Sequence, residues 1–226
     1  MLPVMLAAVV FGFSVNNASA QGAGPLREIL NRMDAMNKSL VSLKADVRMD
    51  KFQSQLGETD TNIGTTSYLP KTAKRGMYVR LDWAKPLVEN IVIQGDRYQL
   101  FRPRLNQVIE GRVDQAGKSN KVPGNALAFM SMSKAQLQAN YTVNYLGQET
   151  AGGTSTWHLQ LLPKNKTSYK TAELWVDSNG MPIQAKVIEQ NNDSTTVLLS
   201  NIQQNVTVSA SDFQLKLPAN VKKVQA

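Results

Sequence analysis

The chain has 226 residues and no cysteine, so disulfide bonds and thiol chemistry are excluded. Hydrophobic residues make up 42% of it, enough to bury a sizeable core. Lys and Arg outnumber Asp and Glu by 25 to 17, which gives a net charge of +8. With a single histidine and no cysteine, we expect no metal site and no cofactor.

The first twenty residues have the character of an export signal. Residues 1–20 contain no charge, and an apolar run from Leu2 to Val15 is followed by an A-x-A cleavage signal at Ala18–Ala20. As a helix the run would rise only about 21 Å, which is short for a bilayer core. We therefore predict a cleaved signal peptide over residues 1–20 and, in a bacterium, a periplasmic protein.

Two features of this leader bear on that prediction. No Lys or Arg precedes the apolar run, unlike a usual signal peptide, so an N-terminal membrane anchor is the alternative. The chain has no cysteine, so it cannot carry the lipid of a lipoprotein. We expect one domain over residues 21–226, because no linker or internal repeat interrupts them.

An amphipathic helix is predicted at the start of that domain. Pro25 suits a first helical turn. Apolar residues then recur at intervals of three and four within an arc of about 140°. They are Leu26, Ile29, Leu30, Met33, Met36, Leu40 and Leu43. Such a stripe must cover an apolar surface.

From Ala45 onward the hydrophobic period changes to two, which is typical of strands. Met77, Val79, Leu81 and Trp83, for example, alternate with polar residues. Further strands are predicted at 91–93, 98–101, 107–109, 141–146, 156–162, 171–176, 183–189, 195–199 and 213–217. Turn signals between them indicate an antiparallel meander rather than βαβ units.

One segment interrupts the meander. Residues 114–120 are polar, and the following stretch from Val122 to Leu137 is weakly helical. We expect a helix there, lying over one face of the sheet.

The search for catalytic residues finds no convincing set. His158 lies between Trp157 and Leu159 in a predicted strand, where a half-buried structural histidine is the more common role. Glu173 and Glu189 could pair across strands, but no pattern marks them as an acid and a base. We predict no enzyme and no catalytic residue. A lipid hydrolase with His158 as its base is the alternative.

A cluster of cations with aromatic neighbours spans residues 68–83, including Lys71, Lys74, Arg75 and Arg80. Cations interleaved with aromatics can hold a nucleic-acid strand, but an exported protein would not meet one. We therefore expect no nucleic-acid partner. An acidic protein or anionic lipid head groups fit this surface better.

Five segments in order carry a family pattern. They are Lys44–Arg48 at the end of the helix, Lys74–Pro86, Ile91–Asp96, Leu161–Lys164, and the close Asp212–Val221. Together they resemble the periplasmic outer-membrane lipoprotein carrier family, LolA, including its K-R-P, L-x-P-K and F-x-F-x-x-P-x-x-V motifs. The similarity covers residues 26–221. Gly76 replaces the proline of the first motif, and Val79 and Leu81 replace aromatic residues.

The resemblance implies a mainly β fold, an unclosed antiparallel half-barrel with a helical lid over an apolar cavity. Arg75 stands where the family has a lid latch that bonds lid carbonyls. We assign to the cavity Leu30, Met33, Met36, Leu40, Val47, Met49, Met77, Val79, Leu81, Trp83, Ile91, Ile93, Leu100, Leu127 and Met130. Ordinary core packing is the alternative role for the methionines among them.

The function that the resemblance implies is that of a monomeric periplasmic chaperone. Its partners would be acylated lipoproteins, an inner-membrane ABC-type lipoprotein exporter and an outer-membrane acceptor lipoprotein. The alternative on the same fold is a glycolipid carrier or an envelope-stress lipid sensor.

Overall fold

The computed structural model describes residues 23–113 and 130–226. The predicted leader, residues 1–20, lies outside the described residues. So do the polar segment 114–120 and the predicted cavity residue Leu127.

The predicted helix is present as α1, Ala23–Ser39. Its apolar stripe is buried through Ile29, Leu30, Met33 and Met36. The helix ends before Leu43, which the stripe had included and which instead begins the first strand. Asn205 stops the helix, because its side chain accepts a hydrogen bond from Val41 N (2.7 Å) and donates one to the carbonyl of Ser39 (3.3 Å).

Within the described residues, twelve strands follow α1, and a further helix, α2 (Lys134–Asn140), lies between the sixth and seventh strands. The strands are β1 Leu43–Gln53, β2 Glu58–Leu69, β3 Tyr78–Lys85, β4 Glu89–Gln94, β5 Arg97–Arg102, β6 Gln107–Arg112, β7 Tyr141–Ala151, β8 Thr154–Pro163, β9 Tyr169–Val176, β10 Pro182–Glu189, β11 Ser194–Gln204 and β12 Lys222–Gln225.

All twelve strands form one sheet in the order β12-β6-β5-β4-β3-β2-β1-β11-β10-β9-β8-β7. Neighbours are antiparallel, except that β12 pairs with β6 in parallel. The first and last strands in this order do not pair with each other, so the sheet is an unclosed half-barrel. The predicted mainly β, open architecture is confirmed.

The alternation predicted for β3 is confirmed. Val79, Leu81 and Trp83 are buried on the inner face, while Tyr78, Arg80 and Asp82 face the other way. Met77 precedes the strand and is half-buried against the same core. The backbones of β2 and β3 approach closely at Gly64, where the register shifts, because a Cβ there would collide with the backbone of Asp82.

The two helices lie on the inner side of the sheet, α2 packing against α1 and β7. Ser133 and Gln136 form a capping box that starts α2, and Leu137 is fully buried beneath it. The helical part of the predicted segment is therefore confirmed from Lys134 to Leu137.

The strand predicted at 213–217 is wrong. After β11 the chain runs over the outer face as residues 205–221, here called the strap. Within it Ala210–Phe213 forms a 3₁₀ turn, capped by Ser209 and Asp212. Phe213 is buried against Leu69 and Val92 rather than paired in the sheet. The strap then leads to β12 at the sheet edge.

Candidate functional site

The inner face of the half-barrel gathers the predicted cavity residues into one apolar cluster. Twelve are buried in it: Leu30, Met33, Met36, Val47, Met49, Val79, Leu81, Trp83, Ile91, Ile93, Leu100 and Met130. Leu40 and Met77 are half-buried and pack against it. The structure therefore brings together all the predicted residues it describes. Their role as a ligand cavity stays a prediction.

The sequence assignment missed the second half of this interior. Strands β8 to β11 contribute side chains to the same cluster. Among them are Leu159, Leu161, Leu174, Ile183 and Val197. Their alternation along strands that were correctly predicted was the available signal. The interior is thus continuous from β6 to β7 under α1.

Helix α1 is held over the interior by the turn between β9 and β10. Arg32 Nη1 donates to the carbonyl of Ser178 (2.9 Å), and its guanidinium lies 5.4 Å from the centre of the Trp157 ring. Gly180 has a φ of +88° and packs directly against the backbone of α1. A residue with a Cβ would not fit there, because that atom would lie 2.7 Å from Met33 N. Sequence patterns carry no sign of this contact.

Polar groups inside the interior are few and have partners. Tyr68 of β2 and Ser131 interact through their side chains, and Asn37 of α1 donates to the Ser131 carbonyl (3.2 Å). Burial raises the pKa of the Tyr68 phenol, and the hydrogen bond with Ser131 lowers it by less, so the net pKa is raised. The phenol therefore stays neutral and links β2, the segment before α2, and α1.

A second polar contact joins β7 to β9. The hydroxyls of Tyr141 and Tyr169 lie 2.7 Å apart. Burial raises the pKa of Tyr169, and the hydrogen bond to Tyr141 raises it further. The Tyr169 phenol is therefore uncharged at neutral pH, like that of Tyr68.

Arg75, the predicted latch, lies in the tight turn before β3. Its Nη2 donates to the carbonyl of Pro70 (3.2 Å), and its guanidinium lies 5.3 Å from the centre of the Tyr78 ring. Its Nε is buried and has no hydrogen-bond partner within the described ranges 23–113 and 130–226. The latch role stays a prediction.

The outer side of the sheet offers a different environment. A groove of about 520 Å³ lies between the strap and strands β3 and β4. Lys44, Arg80, Asp82 and Lys216 contribute to its lining. An acyl chain would bind poorly between these charged side chains. The groove is therefore a less favourable apolar site than the interior.

His158 is a half-buried strand histidine on β8, as predicted. Its ring stacks on Trp175 with centres 4.3 Å apart. Its Nδ1 lies 2.9 Å from a Glu149 carboxylate oxygen, and Nε2 lies 3.4 Å from Glu173 without hydrogen-bond geometry. Because both ring nitrogens face carboxylates, neither is directed at a hydroxyl that it could activate.

In the ranges 23–113 and 130–226, no three His, Cys, Asp or Glu side chains are arranged to hold a metal ion. Within those same ranges, no helix is both long enough and apolar enough to span a bilayer.

Comparison with protein families identifies one match. Residues 72–216 match the family described as "Outer membrane lipoprotein carrier protein LolA". An "Outer-membrane lipoprotein carrier protein" of Pseudomonas syringae pv. tomato is 22% identical over 223 residues. That alignment covers 98% of this chain and 97% of the relative.

Solved structures support the fold. An uncharacterized conserved protein from Thermus thermophilus superimposes with a TM-score of 0.56 at 11% identity, covering 89% of this chain and 99% of that one. The protein MucB superimposes with a TM-score of 0.54 at 15% identity, covering 86% of this chain and 64% of that one. At such identities the likeness concerns the fold alone.

Proposed function

Because this chain belongs to the outer membrane lipoprotein carrier protein LolA family, we propose that it carries acylated lipoproteins through the periplasm without catalysing a reaction. It accepts them from an inner-membrane ABC-type exporter and delivers them to an outer-membrane acceptor lipoprotein. The predicted leader at residues 1–20 supplies the export that this role requires.

The observation that carries the proposal is the apolar interior that the amphipathic helix α1 covers. Four side chains of α1 seal it: Ile29, Leu30, Met33 and Met36. Moving this face away would cost roughly 6–12 kcal/mol, at about 1.5–3 kcal/mol for each buried side chain. Incoming acyl chains restore the lost burial at about 0.8 kcal/mol per CH₂. The helix and the ligand thus exchange places at little net cost.

Methionine makes the same interior tolerant of different chains. Met33, Met36, Met49 and Met130 are all buried in the cluster. The unbranched, polarizable side chain of methionine adapts to irregular apolar shapes. A carrier that serves many lipoproteins needs such non-specific contact.

In this proposal Arg75 holds the lid closed. Its Nε is buried and has no hydrogen-bond partner in the described residues, and we propose that it turns from the Tyr78 ring to a lid carbonyl when the lid closes. A hydrogen bond from a charged donor contributes about 1.5–3 kcal/mol. That is enough to favour the closed form and small enough for cargo to overcome.

Native mass spectrometry of the protein isolated from the periplasm tests the proposal. We expect a bound triacylated lipoprotein that is released when detergent is added. A free glycolipid or lipopolysaccharide in its place would instead establish the glycolipid carrier or sensor role on the same fold. Protein that carries no lipid, and that fails to take up a fluorescent long-chain acyl probe in vitro, would contradict both roles.

A matched pair of variants connects the bound lipid to the interior. Leu81→Asp would place a charge among the apolar side chains that face α1, whereas Arg80→Asp changes the adjacent, outward-facing position. We expect folded Leu81→Asp protein to lose the acyl probe and folded Arg80→Asp protein to retain it. Equal retention by both would show that the lipid binds outside the interior.

A further inference from the structure

Three consecutive hairpins end at the same end of the half-barrel. They connect β1 to β2, β3 to β4, and β5 to β6. The β3–β4 and β5–β6 hairpins lie side by side, because Asn90 at the start of β4 pairs with Phe101 near the end of β5. The β1–β2 hairpin projects beyond them, because Lys85 at the end of β3 pairs with Ile63 in the middle of β2. Every second connection of an antiparallel sheet returns to the same end.

Each of these hairpins carries large apolar side chains in solvent. Leu56, Leu87, Val88 and Leu105 are between 47% and 65% exposed, and together they are here called the apolar rim. Phe52, Ile63 and Leu162 lie exposed on strand segments at the same end. Of the nine exposed large hydrophobic residues in the described part of the chain, only Val41 and Leu146 lie elsewhere.

The rim consists of three separate tips, of which the β1–β2 tip projects furthest along the sheet. Neighbouring strands lie about 4.8 Å apart, so adjacent hairpins are separated by about 10 Å and the three span about 20 Å. The rim is therefore a row of separate tips and not a groove. A protein partner would need a row of matching pockets, whereas a lipid layer yields to each tip independently.

Cations accompany two of the three tips. Lys85 lies two residues before Leu87, and Arg104 directly precedes Leu105, and both are exposed. Between them, Glu89 is paired with Arg102 (2.8 Å). Glu58 follows Leu56 by two residues, so the exposed cations lie at the β3–β4 and β5–β6 hairpins. This arrangement complements anionic head groups.

We propose that the apolar rim docks this protein to an anionic lipid bilayer, tilted so that the tips of all three hairpins reach the head-group layer and Lys85 and Arg104 lie at the phosphates. The docking surface lies outside the interior, so it is a second lipid contact. It does not depend on what the interior carries.

Vesicle flotation with the full chain tests this docking. The probe is phosphatidylcholine vesicles with and without about 30% phosphatidylglycerol. We expect binding to the anionic vesicles only. The variant Leu56→Ser, Leu87→Ser, Val88→Ser, Leu105→Ser should bind at least about tenfold more weakly, because four exposed apolar side chains lose their burial in lipid. Lys85→Gln with Arg104→Gln should remove the preference for anionic lipid.

The matched control is Val41→Ser with Leu146→Ser, whose native side chains are 68% and 51% exposed elsewhere on the molecule. It should bind like the wild type. Absence of wild-type binding, or equal loss in the control, would overturn the proposal. A dimer that the rim variant abolishes, without vesicle binding, would assign the rim to a second copy of this chain instead.

The acyl probe separates this inference from the carrier function. The rim variant should still take up the probe, since its substitutions are exposed and distant from α1. Vesicle docking without probe uptake would reject the carrier alone. Probe uptake without docking would reject the rim alone.

Discussion

The hydroxyl pair of Tyr141 and Tyr169 makes the fold sensitive to alkali. Because burial and the Tyr141 contact raise the pKa of Tyr169, the unfolded chain loses this proton at a lower pH than the folded chain does. The contribution of Tyr169 to the free energy of unfolding should therefore be fully present below about pH 10 and decline above it.

Substitution of Tyr169 by Phe tests that contribution. It removes one hydrogen bond, so it should lower the free energy of unfolding by about 1 kcal/mol at neutral pH. It should also flatten the decline above about pH 10, because the perturbed phenol is gone. Urea denaturation at several pH values measures both effects. An unchanged alkaline decline would show that other groups cause it.

Arg75→Leu tests the latch. In the proposal, the charged hydrogen bond of Arg75 re-forms when the lid closes, and its free energy favours release of the cargo. Loss of this bond should therefore slow or weaken release by about tenfold or more. Uptake of the acyl probe should persist. Transfer of bound probe to acceptor vesicles gives the measurement, and Arg48→Leu, which alters an outward ion pair with Asp50, is the control. Normal transfer by Arg75→Leu would reject the latch.

At the level of elements, α1 depends on the turn that contains Gly180. Gly180→Ala should destabilise the protein by about 2 kcal/mol or more, because it combines a strained positive φ with a collision against the helix backbone. Gly153→Ala is the control, since Gly153 also has a positive φ but nothing lies within 4 Å of an added Cβ. That control should cost about 1 kcal/mol. Hydrogen exchange should show faster exchange in α1 for Gly180→Ala alone.

The strap depends on Phe213. Arg80 and Gln94 donate to the carbonyls of Asp212 and Phe213 at 2.8 and 3.0 Å, which seats the ring against Leu69. Phe213→Ala should lower the free energy of unfolding by about 3–5 kcal/mol because the ring is fully buried.

Chemical denaturation measures that loss, with Phe52→Ala as the control at an exposed position. A similar small effect for both variants would mean that the strap is not anchored by its aromatic residue.

At the level of the whole molecule, a ligand that fills the interior should stabilise the fold. At one hundred times its Kd, such a ligand adds about 2.7 kcal/mol, which raises Tm by roughly 5–10 °C for a chain of this size. Thermal unfolding with a sixteen-carbon and a four-carbon amphiphile of the same head group provides the test. We expect a shift with the long chain only, and equal shifts would assign the effect to the head group.

The periodic parts of the fold were predictable from the sequence. The stripe from Leu26 to Leu40 and the alternation from Val79 to Trp83 each reflect one buried face, so they specify both the element and its orientation. The apolar interior followed from the same patterns. The prediction was weakest where a tertiary contact overrode the pattern. Leu43 continues the helical stripe in the sequence, but the contact with Asn205 ends the helix before it.

Other features left no pattern. Phe213 was expected in a strand because its neighbours alternate, yet it packs beneath the strap on the outer face. The contact of Gly180 with α1 joins residues almost 150 positions apart. Sequence periodicity reports burial within one element and cannot report which distant element supplies the cover.

The absence of cysteine, the positive charge, the helix stripe and the strand alternation were determined by the sequence alone, because each is a property of composition or of local period. The resemblance to the family came from five sequence motifs that occur in the family's order along the chain. Only the tertiary structure decided that β1 pairs with β11, that the strap covers the outer face, and that apolar tips from three hairpins meet at one end. These depend on long-range packing, whose free energy is distributed over many weak contacts and has no local signature.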